Sequence, residues 1–485
     1  MKKIILVFLL PINAFCQQWY SLGLLDSVGT LNGNKVVNGI TFYNNKITIG
    51  GNFKKENNTV LNGVAQWGGT NWNPMGIGVW WGGGASIDST GNGGNGLVMY
   101  KNNFYAAGAM TGAGGVYVDD PIHIVGNIAR WTGNDWFPLA PSVAFSGFNN
   151  GCSVLQVYHN NLYAGGAFSG SWDATGSHAT EAISRWNDTM FSACGQMSGD
   201  FPPNSDDFVM DFTIYQNKLI AGGYFTAIDG SPYGTYSGIA AYDDTNWSAL
   251  GVGFNNAVYA LTVYNGELYA GGEFTATRDN LTPLNHIAKW NGTQWSAVGE
   301  GLNDTVYTLT VDSVNNKLYA GGGFTQTGLG VPAKHLAQWT GTNWQEVGGG
   351  TNRTVRALFS KDGNLYVGGF FTYVNDTMEA HLIACWGYGL NVGGNELEVS
   401  SSKFQVVPNP NNGEFYLNLN KEFKDVKIEI RDVVGRLVYK EEIKNTSQTP
   451  IKLDAMAGIY FMSIVADDGS TSSPQVRMNG KIIKQ

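Results

Sequence analysis

The chain has 485 residues, 43% hydrophobic and only 14% charged, with 66 glycines, 15 tryptophans and a net charge of −9. This composition excludes a disordered chain and suits a large all-β domain with something smaller attached. No basic stripe is visible, which excludes nucleic acid as a partner.

Residues 1–16, MKKIILVFLLPINAFC, join Lys2 and Lys3 to an apolar run that ends in Ala14-Phe15-Cys16. That is the pattern of a secretory signal peptide, too short for a membrane span, with cleavage between Cys16 and Gln17. A lipid anchor on Cys16 is the rival reading. Phe15 speaks against it, because a small residue normally precedes an anchored Cys. No other segment reads as a membrane span.

From Gln17 to about residue 390 the sequence repeats itself. LYAGGEFT at 268–275 has close copies at 162–169, 219–226, 318–325 and 365–372, and weaker ones at 47–54 (ITIGGNFK) and 104–111 (FYAAGAMT). Each copy sits in a unit of four strand-length runs: AVYALTVYNG, ELYAGGEFT, HIAKWNG and TQWSAVG in the fifth. The first two runs are joined by Asn-rich turns, the last two by turns such as WNGTQW, whose Asn-Gly or Thr-Gly supplies the positive φ of a tight hairpin. The aromatic pair across the second hairpin keeps an offset of five, as in Trp290/Trp295 and Trp339/Trp344, so register matters. Four antiparallel strands repeated seven times predict a seven-bladed β-propeller. The seventh unit stops at Trp386 without a fourth run. QQWYSLG at 17–23 matches the missing run, so the N-terminus is expected to close the ring.

The long insertions lie after the second and fourth runs of the first four units. Strand parity places all of these loops on one end of the ring and the tight hairpins on the other. Trp80, Trp81, Tyr117, Trp172, Phe201, Tyr233 and Tyr236 fall in these loops. Aromatic faces of this kind hold flat sugar rings; their bland role is to fold back and cap the loops. The site is expected off-centre near units one to four, with Trp80, Trp81, Tyr117, Trp172, Tyr233 and Tyr236 as stacking surfaces.

Catalytic patterns are lacking. Asp119-Asp120, Asp206-Asp207 and Asp243-Asp244 are paired carboxylates without calcium-loop spacing. His286 and His335 recur in register and read as solvated rim residues. No cofactor, metal or catalytic residue is expected. Cys152, Cys194 and Cys385 are an odd set for an exported protein, so at least one thiol stays free. Cys152 and Cys194 lie at the same end of one unit, and a disulfide between them is left open.

Residues 391–403 read as a linker. Residues 404–485 hold seven short runs (FQVV, EFYLNL, VKIEIRD, LVYKEEI, IKLD, IYFMSIV and KIIK), which predict a small immunoglobulin-like β-sandwich. The whole chain is therefore expected to be all-β, a seven-bladed propeller followed by that sandwich.

The tail resembles the type A C-terminal sorting domain of bacterial type IX secretion. The resemblance rests on Pro408-Asn409-Pro410 with Gly413, on DVVGRLV around Gly435, on AGIYFMSIV around Gly458 and on the closing KIIKQ. It implies the type IX machinery as a partner and display on, or release from, the surface of a diderm bacterium. The repeats, LYxGGxF then IAxW then a W–LG strand, resemble cortical cell-polarity markers and galactose-oxidase-like propellers, which implies the fold and no particular activity. Asp26-Ser27-Val28, Asp188-Thr189-Met190 and Asp304-Thr305-Val306 resemble O-glycosylation triplets of such bacteria. The resulting expectation is a monomeric, surface-displayed binding or adhesion module for glycan or surface protein. The alternatives are a polysaccharide-active hydrolase or lyase on the same face, and a scaffold with no small-molecule site.

Overall fold

The computed structural model describes residues 17–23, 35–56, 59–80, 96–114, 124–140, 146–198, 208–387, 404–407, 414–432, 437–455, 458–467 and 476–484. Two compact units divide the chain, one spanning Gln17–Gly393 and the other including Gly394–Gln485. All regular structure among the described residues is β, and no helix there is long and apolar enough to cross a membrane.

The first unit is propeller-like. Its described residues form seven four-stranded antiparallel sheets. In the fifth, Val258–Tyr264, Glu267–Gly272, Ile287–Trp290 and Trp295–Ala297 follow in chain order, with Trp290 opposite Trp295. The first strands of the seven sheets are Val36–Tyr43, Leu97–Tyr100, Cys152–Tyr158, Phe208–Tyr215, Val258–Tyr264, Val306–Asp312 and Val355–Lys361. Each touches the next in order, and the last touches the first.

The seventh sheet takes its fourth strand from the other end of the chain. Gln18–Ser21 pairs antiparallel with Ile383–Gly387, and Trp19 stands opposite Trp386 just as Trp295 stands opposite Trp290. The indole N–H of each outer-strand Trp donates to a backbone carbonyl of the preceding sheet: Trp136 to Met75 (2.8 Å), Trp295 to Leu250 (2.8 Å) and Trp344 to Val298 (3.0 Å). Trp19 donates to Gly348 (2.7 Å), and Trp72 donates to Leu22 (2.6 Å), so both neighbours of the borrowed strand are tied.

The glycine pair has a steric cause. A Cβ on Gly271 would stand 2.5 Å from Val306 Cγ1 in the next sheet, and one on Gly368 would stand 2.7 Å from Val37 Cγ1 in the first. A side chain there would wedge neighbouring sheets apart. At the opposite end, Tyr100, Tyr158 and Tyr264 donate to the carbonyls of Asn160, Asn217 and Asn316 in the next sheet's hairpin. Lys101–Asp188 and His159–Asp244 ion pairs cross the same seams.

The long-loop end carries a second layer of pairing. Val79–Trp80 pairs with Gly112–Ala113, Gly147–Phe148 with Gly170–Asp173, and Met197–Ser198 with Ala227–Ile228. Isolated bridges at Phe254/Thr277, Leu302/Thr327 and Thr351/Val374 continue the pattern. In every case the segment leaving one sheet is stitched to the loop between the second and third strands of the next.

In the second unit the seven predicted runs merge into five strands: Phe404–Val407, Glu414–Asp432, Leu437–Lys452, Gly458–Asp467 and Val476–Lys484. The divisions read as turns within the two long strands coincide with an irregularity. Asn418 faces Gln448 and Phe423 faces Thr446, so the extra residues bulge while pairing resumes beyond them. Phe415, Leu417, Phe423, Val426, Ile428, Ile430, Ile451 and Ile464 form its core.

Candidate functional site

The first strand of six sheets carries a bulge in the same place, between Val37 and Gly39, Cys152 and Val154, Val209 and Asp211, Val258 and Ala260, Val306 and Thr308, and Val355 and Ala357. The residue skipped by the ladder is Asn38, Ser153, Met210, Tyr259, Tyr307 or Arg356. A bulge frees one residue from strict alternation and re-aims it. These residues stand at the long-loop end of the innermost strands. Beside them is the variable residue after each glycine pair, which is Tyr224, Glu273, Gly323 and Phe370 in sheets four to seven.

Here four sheets converge on one arc. Tyr224 from sheet four and Tyr259 from sheet five share a hydrogen bond between their hydroxyls. Both hydroxyls also lie within hydrogen-bond distance of Glu273 Oε2, at 3.2 and 3.0 Å, so that one phenol donates to the carboxylate while the other donates within the pair. The rings of Tyr259 and Tyr307 lie 5.4 Å apart. The Arg356 guanidinium sits 3.8 Å from the centre of the Tyr307 ring and 5.4 Å from that of Phe370. Tyr259 is buried; Tyr224, Glu273, Tyr307, Arg356 and Phe370 are partly exposed.

Burial pushes the Tyr224 phenol up to about 12, and Tyr259 goes further in the same direction, again chiefly through burial. Both phenols therefore stay protonated and act as hydrogen-bond donors, not bases. Burial lowers the pKa of Arg356. Beside the arc, His286 donates from Nδ1 to the Gly272 carbonyl (3.2 Å), and His335 does the same to Gly322 (3.2 Å). Both take a positive φ at the residue before the third strand, and burial lowers both pKa values. The expectation of solvated rim histidines is thus corrected: they are half-buried turn residues. Asp304 and Glu273 both act electrostatically on His286.

The loop aromatics are placed as follows. Trp172 is half-buried in the strand Gly170–Asp173, opposite Gly147 and Ser177. Tyr233 is 62% exposed with Arg278 over its ring at 4.8 Å. Tyr236, in the same loop, packs against the core and donates to the Trp247 carbonyl at 3.4 Å. Trp80 ends the strand Val79–Trp80. Trp81, Tyr117 and Phe201 lie outside the described residues, as do Asp119-Asp120, Asp206-Asp207, Cys16 and the sorting-motif residues Pro408, Asn409, Pro410, Gly413 and Gly435; Gly458 opens its strand. Asp243 accepts from Thr245 and Asn246 within its own turn, a structural use. Cys152, Cys194 and Cys385 are all buried and free, so no disulfide joins the first two. Thr305 of one triplet is buried, whereas Thr189 of another is exposed. Among the described residues no group of three His, Cys, Asp or Glu is placed to hold a metal.

The arc itself escaped the sequence reading. A signal was present: the residue after the Val of the first strand (Val258-Tyr259, Val306-Tyr307, Val355-Arg356) and the x of GG-x-F in the second vary inside a recurring frame.

One further carboxylate lies in the same ring of strands. Asp211, next to the bulge in sheet four, accepts from the Leu261 N–H of sheet five (2.7 Å) and from Phe212 (2.9 Å). Burial raises its pKa from 3.8 to about 7, outweighing those two N–H donors. The folded state then binds a proton that the unfolded chain has already lost, so Asp211 stabilises most at acid pH and progressively less as pH rises from about 4 to about 7. Asp211→Asn is expected to match the parent near pH 4 and to melt higher above pH 7, by at most ~4 kcal/mol. Thermal melts across that range check this; parallel pH profiles for the two proteins would refute it.

Residues 405–476 match the family described as "Secretion system C-terminal sorting domain". A type IX sorting domain is therefore present, and the protein is exported to the cell surface or the extracellular space. No curated protein matches the chain. Among solved structures, the extracellular domain of the hybrid two component system BT3049 from B. thetaiotaomicron is 11% identical, with 96% of this chain and 57% of that one covered and a TM-score of 0.41. The chain thus spans 57% of that structure's length. The extracellular domain of the one component system BT4673 from the same organism is 10% identical, with 96% and 98% covered and a TM-score of 0.22. Latent PorU from Porphyromonas gingivalis is 13% identical, with 69% and 32% covered and a TM-score of 0.14.

Proposed function

We propose that this protein is a surface-displayed binding module, a seven-bladed β-propeller of residues 17–390 closed by its N-terminal strand, and that it takes glycan or a surface protein at the long-loop mouth of the ring. Residues 1–16 serve as the signal peptide, 391–403 as the linker, and 404–485 as an immunoglobulin-like sorting domain. The repeats are of the galactose-oxidase-like and polarity-marker type in fold alone. The observation that carries the reading is the arc of Tyr224, Tyr259, Glu273, Tyr307 and Arg356. It joins aromatic faces, hydroxyl donors, a carboxylate and a guanidinium on four consecutive sheets, the mixture of apolar walls and few convergent polar groups that a binding site needs. Trp172, Tyr233 and Tyr236 stand in the insertions at the same end and serve as its rim, and Trp80, Trp81 and Tyr117 are proposed as further stacking surfaces.

Protonated phenols at Tyr224 and Tyr259 suit a ligand that accepts hydrogen bonds, as the binding reading requires. A polysaccharide hydrolase is the second reading, with Glu273 of the arc as one of the two carboxylates that glycoside hydrolysis requires. A glycan array probed with the full chain tests both readings. Binding is expected, with a loss of tenfold or more on Tyr224→Ala at unchanged melting temperature. Retention of full affinity by that variant would move the site elsewhere. Release of shorter sugars from a bound polysaccharide would make the second reading the right one.

A further inference from the structure

The trio of Tyr224, Tyr259 and Glu273 narrows the ligand, on the assumption that the mouth binds glycan as just proposed. We infer that it recognises an amino sugar with a free amine: the ammonium group pairs with the Glu273 carboxylate, and a neighbouring sugar hydroxyl accepts from a phenol. Of Tyr224, Glu273, Gly323 and Phe370, the variable residues after the glycine pair in sheets four to seven, only Glu273 is charged.

Glu273 lacks the cation that comparable carboxylates have. In the same unit Glu267 pairs with Lys289 (3.0 Å), Asp188 with Lys101 and Asp376 with Lys334. Among the described residues no ion pair reaches Glu273, its side chain meets the two phenols at Oε2, and no hydrogen bond falls on Oε1. His286 stands near enough to feel this carboxylate, yet burial holds it below the usual imidazole range, so at neutral pH it brings no positive charge. Asp304 acts on the same imidazole, which makes the surroundings more negative still. Arg356 is engaged on the Tyr307 and Phe370 rings, at the sheet-seven end of the arc.

An ionised carboxylate has about four acceptor sites. One phenol proton serves this one, because the other is used between the two tyrosines. A partly buried carboxylate so sparsely satisfied gains most from a donor that carries positive charge. The aromatic walls act in the same direction. Tyr224 and Tyr259 have ring centres 5.6 Å apart, with Phe208 at 6.1 Å from Tyr224, and ring faces attract cations. An ammonium brings three donors and no acceptor. Once it takes up the carboxylate, the phenol that donated to Oε2 is released to donate to a ligand oxygen. A hydroxyl beside the amine supplies that oxygen, which singles out an amino sugar over a bare amine such as a lysine side chain. An N-acetylated sugar offers the carboxylate only a neutral amide N–H.

The test is calorimetry of the full chain, at a mildly acid pH that keeps the amine protonated, with glucosamine oligosaccharides and with the same oligosaccharides N-acetylated. The free-amine form is expected to bind at least about tenfold more tightly, and added salt to erode that preference. Glu273→Gln, which keeps the shape and removes the charge, is expected to bring the two affinities together. Oligolysine of matching charge is expected to bind more weakly than the amino sugar. Equal affinity for the free and acetylated forms would overturn this inference and leave the glycan-binding reading standing. So would an undiminished preference in a folded Glu273→Gln protein. If that variant does not fold, the salt titration of the parent decides, and a preference that salt leaves untouched would overturn the charge pairing. Oligolysine binding as tightly as the amino sugar would place the amine on a protein and overturn the amino-sugar assignment. Binding to neither form, with other glycans bound on the array, would overturn this inference alone; an array with nothing bound would overturn both.

Discussion

A chain that begins after Gly23 is expected to melt far below the full protein and to associate through the exposed edge of its seventh sheet. Among the described residues the borrowed strand Gln18–Ser21 is the only strand that covers the outer edge of Ile383–Gly387, and an unpaired strand edge templates pairing with another chain. More is lost than four residues of ladder. Trp19 is 4% exposed, packs on Trp386 with ring centres 5.4 Å apart, and donates to the Gly348 carbonyl. Leu22, fully buried, supplies the carbonyl that satisfies the Trp72 indole of the first sheet. Truncation therefore orphans one buried indole, one edge and one aromatic seat at once. Trp19→Ala alone is expected to cost ~3–5 kcal/mol. Calorimetry and size-exclusion chromatography read the two effects. A truncated protein that stays monomeric with an unchanged melting temperature would show that the ring does not need this strand.

The second large effect concerns export. Deletion of residues 404–485 removes the whole segment that matches the sorting family, together with its self-contained core around Phe415, Ile428 and Ile464. The shortened protein is expected to fold, because none of the seven four-stranded sheets draws a strand from the deleted part, and to accumulate in the periplasm. Protease accessibility on intact cells measures this. Surface exposure of the deletion protein equal to that of the parent would remove the export role from the tail.

The sheets were legible in the sequence for a physical reason. The glycines facing Val306 and Val37, and the tryptophans tied to the neighbouring carbonyl, recur in most sheets at one geometric position, so the packing requirement writes them at a near-constant spacing, with Ala107 and Phe191 as the exceptions. The borrowed strand was legible for the same reason, since Trp19 repeats the pattern of Trp295. The arc was not. Tyr259, Tyr307 and Arg356 occupy one geometric position but three different chemistries, and a β-bulge leaves no turn residue to mark it. The long loops with their aromatics belong to the first four units, whereas the arc spans units four to seven, three of which have the shortest loops. In the tail, the runs EFYLNL and VKIEIRD read as separate strands, yet the chain passes from one to the other as a bulge because pairing resumes at Phe423.

The three thiols have a consequence of their own. Cys152 and Cys194 are sealed in the third sheet and Cys385 in the seventh, with burial raising the pKa of each. A protonated, water-shielded thiol neither oxidises nor alkylates readily. An exported chain meets oxidants with these sulfurs protected only once the sheets have assembled, so folding has to outrun oxidation on the way out. The same arrangement makes the cysteines a native two-channel gauge of breathing. A thiol reagent that reached Cys385 first would report opening at the borrowed strand, and one that reached Cys152 and Cys194 first would report opening in the body of the ring.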